Sequence, residues 1–299
     1  MLFLFPVGVD YRAQRYPVVT FTLMGLNVVI YLVSLVLRIQ SSGNADDWIT
    51  QHLWLKPSES TWYTYITALF VHAGFFHLLW NMVYLFLFGS CVEDIIGRTR
   101  YIAFYLLGGL AADFAHIAAT PDHFKSDIPL VGASGAINAC IGGFVLLLHK
   151  IRVNFRYVIF LIVRAWTGDF WLPAWLVISF WFLIDVLFAA MSFVNENVGG
   201  GVAFAAHVGG FLAGLGMIGA YKAYLRMRPP EEAGELVEEA ASGAMDQPAV
   251  VYLFESGNQS GPFTLEQINQ MIAIGAISAE TLYWQEGMEE WRAVAELTE

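Results

Sequence analysis

The chain has 299 residues, of which 57% are hydrophobic and only 14% charged, well to the apolar side of ordinary soluble domains. Its formal net charge of −11 is unevenly placed: residues 1–228 hold 14 Lys and Arg against 12 Asp and Glu, whereas residues 229–299 hold one against 14. The basic residues form no stripe, which argues against a nucleic-acid partner, and the break at Pro229-Pro230 separates a membrane region from an acidic, soluble tail.

The first residues are apolar but are followed by Pro6, Asp10, Arg12 and Arg15. No basic stretch precedes a compact apolar core with a cleavage site, so this start does not read as a signal peptide. Segments of about 17–25 mostly apolar residues are long enough to cross the hydrocarbon core. Six are expected, at about 18–37, 75–92, 101–119, 133–149, 171–192 and 203–225. The fourth is diluted by Gly and Ala and the last is glycine-rich. Residues 153–166 are apolar as well, but Arg156 and Arg164 interrupt them, and the expectation there is an interfacial stretch. Cys91 and Cys140 lie inside apolar segments, far from any CxxC, and read as small buried hydrophobes.

Lys and Arg gather on the cytoplasmic side of membrane proteins. With the N-terminus inside, the inner segments receive 11 basic residues, among them Arg12, Arg98, Lys150, Arg156 and Lys222, and the outer loops receive Arg38, Lys56 and Lys125. That asymmetry predicts an even number of spans with both termini cytoplasmic, in a multi-pass membrane protein. Spans two, four and six then enter from the outer face, which places His77, Ser134 and His207 at one depth.

Polar residues within a membrane are costly and mark function by default. Serine becomes a nucleophile when a base takes its proton and a polar pocket stabilises the oxyanion. Ser134 follows Gly132 and precedes Gly135 at the start of a helix, where free N–H groups and the helix dipole favour negative charge. The same small-residue run also suits close helix packing. His207 is followed by Gly209, Gly210, Ala213 and Gly214, a face that would let its helix approach span four at Gly135, Ala139, Gly142 and Gly143. It is either a packing residue or the base for Ser134. His77 and Asn81, four apart, share a helix face and can both donate, as an oxyanion site requires; an interhelical polar clasp is the other reading. His72, in the loop entering span two, would assist or cap.

Two other chemistries fit less well. His72, His77 and His207 would ligate a metal only by tertiary coincidence, and no His-Glu dipeptide, hence no H-E-x-x-H motif, occurs. No metal or cofactor is expected. Asp113 and Asp185 fall within spans, as an intramembrane aspartyl protease would need, but on opposite-running helices and without a G-x-G-D run. A transporter would show matching half-repeats and polar residues at the midplane, and neither is evident.

The pattern His77-x-x-x-Asn81, Gly132-x-Ser134-Gly135 and Ala206-His207-x-Gly209-Gly210 resembles the rhomboid family of intramembrane serine proteases. The likeness runs from about residue 10 to 226 and includes Val92-Glu93-Asp94 with Gly97, Leu172-Pro173-Ala174-Trp175, and Gly199 to Gly201. It implies a six-transmembrane-helix all-α bundle over residues 1–228. By the same resemblance, Ser134 is the nucleophile and His207 the general base of a dyad without aspartate; His77, Asn81 and the Ser134 N–H form the oxyanion site. Substrates would be single-span or polytopic membrane proteins, cut near a small residue beside a helix-destabilised stretch. A catalytically silent rhomboid-like scaffold that binds membrane clients is the alternative. Asn138, one turn after the serine, stands where family members place an aromatic or small residue beside the histidine, and Trp62-Tyr63 where some have Trp-Arg.

Residues 229–248 read as an acidic solvated linker. Beyond it, Val251 to Phe254 reads as a strand, Gly257-Asn258 as a turn, Thr264-x-x-Gln267 as the cap of a helix reaching Ile274 and closed by Gly275, and Thr281 to Trp284 as another strand. This small α+β domain, residues 249–299, is similar to the GYF domain 2 type through Gly261-Pro262, Gly275, Trp284, Gly287-Met288 and Trp291. The resemblance implies a cytoplasmic proline-rich peptide or protein as partner. Tyr252, Trp284 and Trp291 would otherwise be the core of a very small domain.

Overall fold

The computed structural model describes residues 2–40, 44–119, 129–161, 164–192, 203–227, 250–255, 257–285, 288 and 290–297. The linker expected at 229–248 and the glycines 199–201 lie outside these. In chain order, strand β1 (Leu2–Val9) leads to α1 (Val18–Gln40), α2 (Asn44–His52) and α3 (Thr64–Thr67). Helix α4 (Phe75–Ile96) contains a π turn at Leu85–Gly89 and is followed by α5 (Arg98–Ala119) and α6 (Ser134–Leu148). Strands β2 (Arg152–Leu161) and β3 (Arg164–Pro173) precede α7 (Ala174–Ser192) and α8 (Phe204–Arg226).

Five of these helices, α1, α4, α5, α7 and α8, are long and apolar enough to cross a membrane, and α6 is a shorter apolar helix of 15 residues. The six expected spans therefore correspond to five full-length helices and a short one of about 22 Å. Helix α6 is enclosed: Gly135, Ala136, Ile137, Ala139 and Cys140 through Phe144 are all buried. The peripheral helices show the opposite of a soluble pattern. In α1 the buried residues are Thr20, Asn27 and Ser34, seven apart on one stripe, while Val29, Leu32 and Val33 are more than half exposed. Leu183 and Phe180 on α7 and Phe114 on α5 are likewise exposed. Such apolar surface is stable against lipid and not against water.

Glycines let α8 lie against α6. A Cβ on Gly210 would run into the carbonyl oxygen of Gly135, and one on Gly214 into that of Ala139. Only backbones without side chains approach so closely.

The helical reading of the membrane region stands, with one addition. Residues 153–166, expected as an interfacial stretch, are paired strands: β1, β2 and β3 form an antiparallel sheet in that order. Arg156, which interrupts the apolar run, faces Asp169 across β2 and β3, with Nε 2.8 Å from Oδ1. The sheet's aromatics reach the bundle, where Phe5 stacks on Trp80 of α4 at 5.8 Å and Phe155 meets Trp181 of α7 at 6.3 Å.

At the end of the bundle opposite Ser134, two acidic residues fasten the N-terminal segment. Buried Glu93 accepts hydrogen bonds from the Val19 and Thr20 N–H groups at 2.9 and 2.7 Å and from the Thr20 hydroxyl at 2.7 Å, capping the open first turn of α1. Asp94 accepts from the Tyr11 hydroxyl at 2.6 Å and from Gln14 N and Arg15 N at 3.1 and 2.9 Å. Burial and the Asp94 charge together hold the Tyr11 hydroxyl far above its ordinary range.

The C-terminal part forms a sheet in the order β5-β4-β6-β7 from β4 (Val250–Glu255), β5 (Asn258–Thr264), β6 (Leu282–Gln285) and β7 (Arg292–Ala293). Helix α9 (Leu265–Ile274) begins with the capping box of Thr264 and Gln267 and ends at Gly275 in the left-handed region, φ 73°. Its core is Val251, Leu253, Phe263, Ile268, Met271 and their neighbours. Tyr252 and Trp284, opposite each other across β4 and β6, are half-buried, and Trp291 is exposed beside Phe254, so these aromatics lie at the surface of the domain. The domain touches the same end of the bundle as Glu93: Gln270 donates to the Asp94 carbonyl at 3.2 Å, and Lys222 and Arg226 donate to the Ala273 and Gly275 carbonyls at 3.3 and 3.4 Å.

Candidate active site

Ser134 is the first residue of α6, so its own N–H has no partner within the helix. The segment leading into it is pinned from both sides. Leu130 and Leu55 exchange backbone hydrogen bonds of 2.7 and 3.1 Å, and the Gly132 N–H donates to the Ala68 carbonyl at 2.8 Å. Gly132 turns the chain at φ 103°, and a Cβ there would stand 2.8 Å from both Cε1 and Nε2 of His77. Glycine is needed twice over, for the turn and for the space.

His207, in the first turn of α8, brings Nε2 to 3.1 Å from the Ser134 hydroxyl oxygen. Its Nδ1 lies 3.4 Å from Oδ1 of Asp185, which projects from α7. Ser134, His207, His77, Asn81, Asn138 and Asp185 all line one cavity of about 620 Å³ between α4, α6, α7 and α8. That is within the usual range for a small-molecule or peptide-segment site.

The remaining expected residues fall as follows. His77 and Asn81 face the cavity together. The Asn81 amide donates to the His77 carbonyl at 2.7 Å, which leaves its second N–H for a ligand. His72 does not line the cavity. Its ring, 1% exposed, packs edge-on against His77 at 5.2 Å, and burial, with the neighbouring His77 adding to it, pushes His72 down to about 4. Asn138 donates to the Ser134 carbonyl at 2.9 Å, along its own helix. The aromatic beside His207 is instead Phe204, one turn earlier on α8, at 6.1 Å and itself stacked on Phe188 at 5.0 Å. Sequence reasoning misses Phe204 and sets Asp185 aside. Trp62 is 84% exposed, its ring edge-on to Tyr63, and neither lines the cavity. Among the described residues no group of three His, Cys, Asp or Glu is placed to hold a metal ion.

These features define a class: a multi-pass integral membrane protein in which a serine and a histidine meet at the head of a cavity within a helical bundle. Residues 59–223 match the Rhomboid domain, and residues 252–299 match GYF domain 2. The chain belongs to the rhomboid family, whose members are intramembrane serine proteases, some of them inactive. It is 32% identical to the Bacillus subtilis (strain 168) protein YdcA over 134 residues, covering 45% of this chain and 64% of that one. It is 35% identical to Rhomboid-related protein 2 of Mus musculus over 161 residues, covering 52% of this chain and 47% of that protein. Rhomboid protease GlpG of Haemophilus influenzae is 23% identical over 199 residues, covering 66% of this chain and 87% of that one. The matched segments thus span less than two thirds of the Bacillus and mouse proteins.

Proposed function

We propose that this protein is an active intramembrane serine endopeptidase and that the Ser134–His207 pair carries the reaction. The observation behind this reading is the 3.1 Å contact between the serine hydroxyl and Nε2, at the head of a cavity large enough for a peptide segment. The Ser134 oxygen attacks the scissile carbonyl carbon while its proton passes to Nε2 of His207. The carbonyl oxygen gains the negative charge and is met by the Ser134 N–H, the free N–H of Asn81 and the His77 ring. Collapse of this intermediate breaks the C–N bond, and His207 returns the proton to the leaving amine. Water then attacks the acyl-serine, gives its proton to His207, and the new carboxyl terminus departs as Ser134 regains its hydrogen.

The substrates in this reading are membrane proteins whose helix can unwind into the cavity. The basic-residue asymmetry supports a site near the outer face of the membrane with both termini cytoplasmic, and the similarity to the Bacillus and Haemophilus proteins supports a bacterial plasma membrane. The silent-scaffold alternative is disfavoured by the presence of both dyad residues in contact. The C-terminal domain, with Tyr252, Phe254, Trp284 and Trp291 along one face, is read as a docking module for a cytoplasmic proline-rich segment.

Purified protein reconstituted with a single-span substrate should release two fragments whose masses define one cleavage site, and Ser134→Ala should release none. Equal fragment yield from Ser134→Ala would remove the proposal.

A further inference from the structure

Among the described residues that line the cavity, Asp185 is the only acid. Its neighbours on the same face of α7, Trp181 and Ile184, are apolar. A carboxylate in the middle of a bilayer-spanning helix is costly, so it is kept where a partner uses it. The partner here is His207, whose Nδ1 stands 3.4 Å from Asp185 Oδ1, with the two side chains 18% and 17% exposed.

We propose that Asp185 is the positioning residue of this site, fixing the tautomer and orientation of His207 through Nδ1. The proposal rests on the protease reading and adds to the Ser134–His207 pair a third member, contributed by α7. An ionised carboxylate can only accept a hydrogen bond, so the contact places the imidazole proton on Nδ1 and leaves Nε2 unprotonated toward Ser134. When the serine proton moves to Nε2, the resulting imidazolium lies beside the Asp185 carboxylate.

Among the described residues around His207 no other group does this work. Asn138 spends an amide N–H on the Ser134 carbonyl, and Phe204 meets the imidazole only at a ring edge. The titratable groups facing His207, among the described residues, are Ser134 from α6, His77 from α4 and Asp185 from α7. Helix α5 presents Ala111 and Ala115 to the neighbouring Gly209, and the titratable residues in its outer half are the buried Asp113 and His116. Among the described residues Asp185 is the one anion beside the imidazole, so removing its charge takes the counter-charge from the cationic ring and the orienting acceptor from the neutral one.

The test is the rate at which a fluorophosphonate probe labels the detergent-solubilised full chain, measured from pH 4 to 9 for wild type, Ser134→Ala and Asp185→Asn. In Asp185→Asn the plateau rate should fall about tenfold or more, and the acidic limb should move about one pH unit toward lower pH. Asp185→Ser serves the same comparison if the amide variant does not fold. A purely structural Asp185 would lower the plateau and leave the limb in place, and an unmoved limb overturns the proposal. Absence of Ser134-dependent labelling in the wild type overturns the protease reading and this inference together. Labelling that depends on Ser134, with the limb unmoved by Asp185→Asn, overturns this inference alone.

Discussion

The ring of His77 occupies the space that a side chain on Gly132 would need. A Cβ at position 132 would stand 2.8 Å from both Cε1 and Nε2 of that ring, and φ there is 103°, so the turn into α6 is tied to the placement of the His77 ring, the proposed oxyanion donor. Gly132→Ala should displace His77 and lower turnover by roughly 100-fold, the usual loss for one oxyanion donor. Turnover of a transmembrane substrate checks this, and the variant should remain folded by thermal unfolding. Near-normal turnover would show that His77 does not act on the oxyanion.

Ser134 and His207 act as a unit in the proposed reaction. Ser134→Ala, His207→Ala and the double variant should therefore have the same residual activity, because the second removal takes away nothing that the first has left. Substrate cleavage by the three purified proteins checks this, and multiplicative losses would contradict it.

Glu93 and Arg152 separate a buried anchor from a surface one. Glu93 is 3% exposed and accepts three hydrogen bonds from the start of α1, whereas the Arg152–Asp10 pair, 3.1 Å apart, is more than half exposed at both side chains. Glu93→Ala should cost about 3 kcal/mol, since it strands buried N–H groups, and Arg152→Ala less than about 1 kcal/mol. Unfolding in mixed detergent micelles gives both values, and similar losses from the two would contradict the assignment.

His72 makes stability depend on pH. Its folded-state value, pushed down to about 4 by burial and then by His77, lies below the ordinary value of about 6.5. Between those limits the unfolded chain binds a proton that the folded chain refuses. Stability is therefore full above about pH 6.5 and is lost as pH falls toward 4. His72→Asn should flatten this part of the profile. A wild-type unfolding midpoint that is constant over the window would contradict the burial of His72.

Much of this architecture is legible in the chain because a membrane makes simple demands. Helix length follows from bilayer thickness, and the expected bounds differ from the observed ones by a few residues at each end. The capping box at Thr264 and Gln267 and the stop at Gly275 are local signals, and both appear as read. The sheet of β1, β2 and β3 is hidden from such reading because its first strand lies far from the other two in sequence. Arg156 breaks an apolar run when read along the chain and makes sense only once Asp169 is opposite it. The glycines of α8 signal a close neighbour, and α6 is that neighbour. Asp185 resists assignment from sequence, since a single acid in an apolar helix says nothing of what it faces. Its 3.4 Å contact joins residues 22 apart on two different helices. Phe204 escapes notice because an aromatic near a helix start is ordinary until its ring is found beside His207.

The central claim is that Ser134 is a nucleophile activated by His207. The most direct measurement is the mass shift of the intact protein, and of its peptides, after reaction with a fluorophosphonate. The account predicts one adduct, located on Ser134, formed by the wild type and absent from His207→Ala. Wild-type protein that gains no adduct, or gains it equally in His207→Ala, would contradict it.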